Sequence, residues 1–278
     1  MQIQQYKNKS GLDLTYAVKQ TKTNSDWLVL IFPFGLKVEF AKAFFDQFGD
    51  AYSLLCCESR LIFNDVEQYQ PQPADFEIQQ HVNDILELCT SLDIEDACLI
   101  GYCSGAGVAI SLVNQYPEKF TRLLLVHGEY AMLNQSECVT QIGRDIDSIL
   151  PLAGASPDNA KMIMQSLGNT NKVDTDDISG HADLNLPYSD HRYLYRYANS
   201  YLAYKTVDFA ERAKHIKLKT WVLTGNKDIH TNVASSSLIH SNLSDSDMYV
   251  DEHADHYGIL RHNSNTLAHI NLIVSGEL

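Results

Sequence analysis

Residues 98–107 read CLIGYCSGAG, an apolar run that enters the pattern Gly-x-Cys-x-Gly and continues into a segment of small residues with helical character. A turn that leads directly from a strand into a helix holds its central residue in a strained backbone conformation, so the residues two before and two after it must be small. Both are glycine here, Gly101 and Gly105. The segment therefore predicts a sharp strand-to-helix turn, a nucleophile elbow, that projects the thiol of Cys103 above a sheet.

Apolar segments of strand length alternate with helical patterns on both sides of this turn. The predicted strands are WLVLIF, AYSLLCC, ACLIGY, LLLVHG, WVLTG and MYV, and helical spacing of apolar residues marks residues 38–48 and 75–92. Strands that alternate with helices are typical of parallel pairing through helical crossovers. The sequence thus predicts an α/β protein with a mostly parallel, doubly wound sheet, preceded by an antiparallel hairpin at the N-terminus.

The interval between LLLVHG and WVLTG is far longer than a crossover requires. We expect an inserted helical lid at residues 134–214, between two parts of a core formed by residues 1–133 and 215–278. The first half of the lid is acidic and rich in turn residues, with Asp174, Asp176, Asp177 and Asp183. The second half and the residues just after it are basic, with seven Lys and Arg residues at positions 192–219 against Asp208 and Glu211.

Composition limits the class of partner. The chain has 278 residues, a formal net charge of −14, 45% hydrophobic residues and 20% charged residues, which fits one large globular α/β unit. An acidic surface repels nucleic acids and anionic membranes. We therefore expect a small-molecule partner, with no nucleic acid and no membrane.

The cysteines and the first residues bear on compartment and cofactors. Residues 1–14, MQIQQYKNKSGLDL, lack the apolar region of a signal peptide, and no segment approaches the ~18 apolar residues of a membrane span. This predicts a cytoplasmic protein. The six cysteines show no CxxC pair and no zinc-like spacing, so we expect free thiols, no metal and no cofactor. The sequence leaves the oligomeric state open.

A longer segment around the elbow, LIGYCSGAGVAISLVNQYPEKFTRLLLVHG, resembles the elbow, helix and following strand of the α/β-hydrolase superfamily. Cysteine replaces the serine of most members, a change also seen in dienelactone hydrolases and in some biosynthetic thioesterases. The resemblance implies that nucleophile, acid and histidine follow in that order along the chain. WVLTGNKD then supplies Asp228 just past a strand, and ADHYGIL supplies His256 ahead of the final helix, with His253 as the alternative.

These residues predict a Cys-His-Asp triad that forms an acyl-cysteine. His256 would take the proton of the Cys103 thiol, and Asp228 would fix the imidazole tautomer. Oxyanion donors would be the backbone N–H of Ser104, at the start of the helix, and one N–H from the loop after WLVLIF, where Phe34, Gly35 and Leu36 are the candidates. A thioester intermediate favours amine, thiol or carbon acceptors over water more than an oxygen ester does, so transfer or cyclisation stands beside hydrolysis.

Tyrosines near the elbow and in the lid suggest a binding pocket. We expect Tyr102, Tyr193, Tyr197 and Tyr201 to contact an acyl or aromatic substrate, although an aromatic helix face equally serves lid-to-core packing. The basic half of the lid fits either a carrier-bound or CoA-bound substrate, through a phosphopantetheine phosphate or an acidic carrier protein, or an ordinary solvated helix face.

Three functions follow from these patterns. The leading hypothesis is a thioesterase or esterase, or an acyltransferase or cyclase that acts on an acyl thioester. A dienelactone-type lactone hydrolase is the alternative enzyme, although those enzymes are usually shorter and lack such a lid. A non-catalytic binding protein of the same fold is the third hypothesis, but such proteins tend to lose part of the triad, and all three positions are filled here.

Overall fold

The computed structural model describes residues 1–21, 26–65, 67, 69–132, 135–167, 178 and 181–278. Within these residues one sheet contains eight strands. They are β1 (Gln2–Lys7), β2 (Asp13–Lys19), β3 (Trp27–Ile31), β4 (Ser53–Cys57), β5 (Ala97–Tyr102), β6 (Phe120–Val126), β7 (Thr220–Gly225) and β8 (Ser246–Asp251). The strand order is β1-β2-β4-β3-β5-β6-β7-β8.

Strands β3 to β8 run parallel, and the β1-β2 hairpin pairs with β4 in the antiparallel sense. The helices are α1 (Lys42–Phe48), α2 (Ile78–Ser91), α3 (Ser104–Gln115), α4 (Gln141–Ala153), α5 (Pro157–Leu167), α6 (His191–Tyr204), α7 (Phe209–Ala213), α8 (Val233–Asn242) and α9 (Asn265–Ser275). Every residue of β3, β4 and β5 is buried, as expected for parallel strands covered on both faces. The predicted fold class, a mostly parallel sheet with an inserted helical segment, is confirmed.

The two faces of the sheet bury two separate apolar clusters. Because side chains alternate along a strand, Leu99 of β5 packs with Val108 of α3 on one face, and Ile100 packs with Phe44 of α1 and Ile270 of α9 on the other. Helices on both faces leave the carboxyl ends of β5, β6 and β7 open at one edge of the core. In open parallel sheets this is the edge that binds ligands.

Helices α4 to α7 lie between β6 and β7. Helices α4, α5 and α6 pack around a small apolar cluster of their own, with Leu150, Ala153, Ala160, Leu194 and Ala198. The boundaries proposed for a lid domain stay predictions, and residue 134, Asp174, Asp176 and Asp177 lie outside the described residues. In the part of the chain that the structure describes, no helix is both long enough and apolar enough to cross a membrane.

One buried arginine ties α6 to the core. Arg196 donates hydrogen bonds to the carbonyl oxygens of Leu61 and Asn64, each at 2.8 Å, and to that of Tyr69. A guanidinium presents several donors in a fixed plane, so one side chain holds three carbonyl groups of the chain segment after β4 at once. This anchor sets the position of α6 above the sheet edge.

Candidate active site

Cys103 lies in the turn between β5 and α3, in a conformation that few residues adopt. Its φ is 53° and its ψ is −124°. The turn is so tight that a Cβ atom on Gly105 would lie 2.2 Å from the carbonyl oxygen of Ile31, and one on Gly101 would lie 2.6 Å from the Cα of Ala106. Both glycines are therefore required by close backbone approach, and Cys103 is partly exposed whereas the other five cysteines are buried.

Asp228 follows β7 and accepts hydrogen bonds at both carboxylate oxygens. Its Oδ2 atom lies 2.8 Å from His256 Nδ1, 3.0 Å from His127 Nδ1 and 2.7 Å from the Thr231 hydroxyl. Its Oδ1 atom accepts the backbone N–H groups of His230 and Thr231 at 2.8 and 2.9 Å. Burial alone would raise the pKa of Asp228, but the two histidines hold it well below its usual range. The carboxylate is therefore charged and fixed in orientation.

His256 connects this carboxylate to the elbow. Its Nδ1 atom contacts Asp228, and its ring lines the same cavity as Cys103. Burial opposes the charged ring, but Asp228 and Cys103 raise the pKa of His256 well above its ordinary value. The alternative histidine, His253, is exposed and makes its contact with Asp251 through its backbone N–H. The structure thus brings Cys103, His256 and Asp228 together at one edge of the sheet, with His256 hydrogen bonded to Asp228 and facing the same cavity as Cys103.

Two further histidines, which the sequence analysis did not select, complete the cluster. His127 follows β6 with a φ of 47° and is buried. His230 lies with its ring centre 4.9 Å from that of His256, and its Nε2 atom is 3.0 Å from the Tyr257 hydroxyl. Burial, with a contribution from His256, lowers the pKa of His230 to about 4, so this ring is neutral.

His127, Asp228 and His256 also have the ligand types of a metal site. However, the two Nδ1 atoms lie 2.8 and 3.0 Å from one carboxylate oxygen, which are direct hydrogen-bond distances. Two ligands that each lay ~2.0–2.1 Å from one tetrahedral ion would be about 3.3 Å apart. We therefore interpret the cluster as a hydrogen-bonded one.

The loop after β3 approaches the start of α3. Phe34 donates its backbone N–H to the Ser104 hydroxyl at 3.0 Å. Gly35 donates instead to the Ser59 hydroxyl at 3.1 Å, and Leu36 donates to the Pro33 carbonyl at 3.4 Å. All three N–H groups donate to protein groups, and Phe34 is the candidate whose partner, Ser104, lies at the elbow.

A cavity of about 110 Å³ opens above Cys103 and His256. Tyr197 and Tyr201 of α6 line it, as expected from the sequence. Tyr102 and Tyr193 do not, which corrects the expectation for these two residues.

Both tyrosines outside the cavity have other contacts. Tyr102 is buried in the core because its side chain points to the face of the sheet opposite the cavity. Its hydroxyl donates to the His256 carbonyl at 3.0 Å. Tyr193 packs edge-to-face on Phe63, with ring centres 5.5 Å apart. Tyr102 therefore supports the histidine loop rather than a ligand.

Comparison with known proteins gives matches in structure. No protein-family model matches the chain, and no curated protein matches its sequence. A bromoperoxidase from Bacillus anthracis matches with a TM-score of 0.73 at 13% identity, over 99% of this chain and 100% of its own. An esterase from a Rhodococcus species matches with a TM-score of 0.72 at 14% identity, over 99% of both chains. A hydrolase from Pseudomonas aeruginosa matches with a TM-score of 0.71 at 16% identity, over 98% of this chain and 97% of its own.

The chain has the α/β-hydrolase fold. Within this fold, the elbow after β5, the acid after β7 and the histidine after β8 converge at one sheet edge because these strands are parallel. The same argument identifies His127 in the LLLVHG segment, because it directly follows β6, which lies between β5 and β7. A histidine at the carboxyl end of a parallel strand was the signal available in the sequence.

Most Lys and Arg side chains in the basic half of the helical insertion contact other groups of the protein. Six of its seven cations contact protein groups. They are Arg192, Arg196, Lys205, Arg212, Lys214 and Lys219. These contacts support the interpretation of the basic half as an ordinary helix surface and not as a phosphate-binding site.

Proposed function

We propose that this protein is an acyl-processing enzyme in which Cys103 attacks the carbonyl carbon of a thioester or ester and forms an acyl-cysteine. The observation that carries the proposal is that His256, hydrogen bonded to Asp228, lines the same cavity as Cys103, and that each of the two charged partners raises the pKa of His256. A nucleophile, a base and a group that orients the base, in contact in that order, form the arrangement used for covalent acyl transfer.

Each residue has a defined task in the proposed reaction. The thiolate of Cys103, paired with the imidazolium of His256, adds to the carbonyl carbon while the carbonyl oxygen takes the negative charge. The backbone N–H of Ser104, at the first position of α3, has no partner within its own helix and would stabilise that charge. Collapse of the adduct expels the alcohol or thiol, which leaves with the proton of His256.

A second nucleophile completes the turnover. Water, an amine or a thiol attacks the acyl-cysteine, His256 accepts its proton, and the Cys103 thiolate is released. The charged Asp228 stabilises the imidazolium in both halves of the cycle. We favour transfer or cyclisation beside hydrolysis, because a thioester reacts readily with amine and thiol acceptors.

The cavity favours a short acyl group. Its volume of about 110 Å³ is below the ~150 Å³ of an apolar cavity that takes up benzene.

The structural neighbours include proteins described as an esterase and a hydrolase. Their likeness concerns the fold, and the proposal for this chain rests on its own side chains.

The test is turnover of a short-chain thioester, butanoyl-N-acetylcysteamine, by the wild type and two cysteine variants. Cys103→Ala should lose thiol release entirely. Cys138→Ala is the matched control, since Cys138 lines the same cavity but has no contact with His256 among those that the structure describes. Equal activity of the Cys103→Ala variant and the wild type would contradict the proposal, and absence of turnover by the wild type with thioesters and esters alike would favour a binding protein.

A further inference from the structure

The wall of the cavity beside Cys103 contains a half-buried acidic residue, Glu129, which the reaction above does not use. Glu129 is attached to the elbow, because its backbone N–H donates to the Cys103 carbonyl at 3.1 Å. Its own carbonyl oxygen accepts the hydroxyl of Tyr204. The main chain of Glu129 is therefore held in a fixed position beside the nucleophile.

The carboxylate of Glu129 is held as firmly as its backbone. Both of its oxygens accept the backbone N–H of Ala131, at 2.8 and 3.0 Å. Burial nevertheless raises the pKa of Glu129, because these hydrogen bonds do not replace the solvation of a charge. An additional cationic partner would stabilise the ionised form.

Lys205 and His256 act on Glu129 through their charge, but neither forms an ion pair with it. Lys205 is the nearby cation, but it forms an ion pair with Asp147 and lies over the Tyr201 ring, 5.1 Å from its centre. Among the described residues that line the cavity there is no Lys or Arg, and none of the ion pairs found within those residues involves Glu129. A cationic group of a ligand would thus form the ion pair with Glu129 that none of the described side chains forms.

We propose that Glu129 binds an ammonium group of the substrate, so that this cavity selects a short amine-bearing molecule. The proposal rests on the acyl-cysteine function and narrows its substrate class. The ammonium belongs either to the acyl group, as in an ω-aminoacyl thioester, or to an amine acceptor that approaches the acyl-cysteine. In the second case Glu129 takes one proton from the ammonium, and the neutral amine then attacks the acyl carbon as Cys103 leaves.

The first experiment measures charge selectivity at Cys103 without acyl chemistry. The thiol is modified by aminoethyl and by n-propyl methanethiosulfonate, which have similar size but differ in charge, and the modified Cys103 peptide is quantified over time. The rate ratio of the cationic to the neutral reagent should fall by about tenfold in Glu129→Gln, as expected for loss of a charge-assisted contact. Glu137→Gln, which removes an exposed carboxylate near the cavity, should keep the wild-type ratio.

Equal ratios in the wild type and Glu129→Gln would overturn the inference, whatever the outcome of the turnover test.

The second experiment locates the ammonium. Preference of the wild type for β-alanyl over butanoyl thioester, lost in Glu129→Gln, places it on the acyl group. Preference for propylamine over 1-propanol as acceptor of a butanoyl group, lost in the same variant, places it on the acceptor. If neither preference depends on Glu129 while butanoyl turnover still requires Cys103, the inference fails and the proposed function stands.

Discussion

His127 binds the carboxylate of Asp228 through its Nδ1 atom, which lies 3.0 Å from Oδ2, the oxygen that His256 also contacts. An ionised carboxylate only accepts hydrogen bonds, so the Nδ1 atoms of His127 and His256 must both be donors. The contact therefore fixes the tautomer of His127 and prevents rotation of the Asp228 carboxylate. In the proposed enzyme it is a positioning residue, with no contact of its own to the nucleophile among those that the structure describes.

Loss of the His127 contact should lower activity through Asp228. We expect His127→Ala to reduce kcat/KM by about tenfold, the cost of a lost hydrogen bond to a charged group. His127→Asn, whose amide can still donate, should recover part of this loss. In an Asp228→Asn background the His127→Ala change should have little further effect, because the two residues act as one unit. Independent, multiplicative losses would contradict the positioning role.

The base should be His256 rather than its neighbour in sequence. Removal of a general base costs about 10²-fold or more, so His256→Ala should lose most turnover. His253→Ala should remain close to the wild type, since His253 is exposed and contacts Asp251 only through its backbone. Similar losses in steady-state assays of the two variants would show that the base has been misassigned.

The pH dependence of turnover should follow His256. Burial opposes the imidazolium, but Asp228 and Cys103 raise the pKa of His256 above the ordinary 6.5. The imidazolium is present below this raised pKa and is lost as pH rises through it, so kcat/KM should fall on the alkaline side. Asp228→Asn should move this limb to lower pH, whereas Asp255→Asn, which alters the ion pair with Arg261, should not. An alkaline limb at the same pH in Asp228→Asn would rule out His256 as its source.

Cys103→Ser should change the fate of the acyl group. The serine ester lacks the preference of a thioester for amine and thiol acceptors, so free acid should increase at the expense of the acceptor product. The measurement is a competition assay with one acyl thioester, water and graded amine. Product ratios that are identical for the two enzymes would remove the reason to favour transfer and leave simple hydrolysis.

Stability should depend on another buried histidine, which does not line the cavity. His81 lies against Phe34, with ring centres 4.9 Å apart. Burial, with a contribution from Arg60, lowers its pKa to about 3. The unfolded chain binds a proton below the ordinary pKa of 6.5 while the folded chain does not, so the free energy of unfolding should decrease as pH falls from 6.5 toward 3.

The matched comparison for this effect is His81→Gln against His215→Gln. The His81 variant should show a shallower decrease, by up to ~1.4 kcal/mol per pH unit, in urea titrations across this range. His215 is exposed, so its variant should keep the wild-type slope. A wild-type slope in His81→Gln would show that this histidine is not buried in its neutral form.

The sequence predicted the fold well because its signals are local. The elbow needs two glycines two residues from Cys103, and continuous apolar strands separated by helical patterns define a parallel sheet. The partners of Asp228 were harder to predict. His127 is 101 residues away in sequence and meets Asp228 only because β6 and β7 are neighbours in the sheet. Tyr102 shows the reverse problem, since adjacency to Cys103 suggested a ligand contact, yet its side chain points into the core.

The most direct test of the central claim is the site of acylation. Wild-type protein is mixed with a stoichiometric amount of a chromogenic butanoyl ester, quenched in acid at short times, and analysed by intact-mass and peptide mass spectrometry. We predict one butanoyl group, on the peptide that contains Cys103, which forms with the burst of leaving group and is absent from Cys103→Ala. A butanoyl adduct that forms at the same rate in Cys103→Ala, or that maps to another residue, would contradict the account.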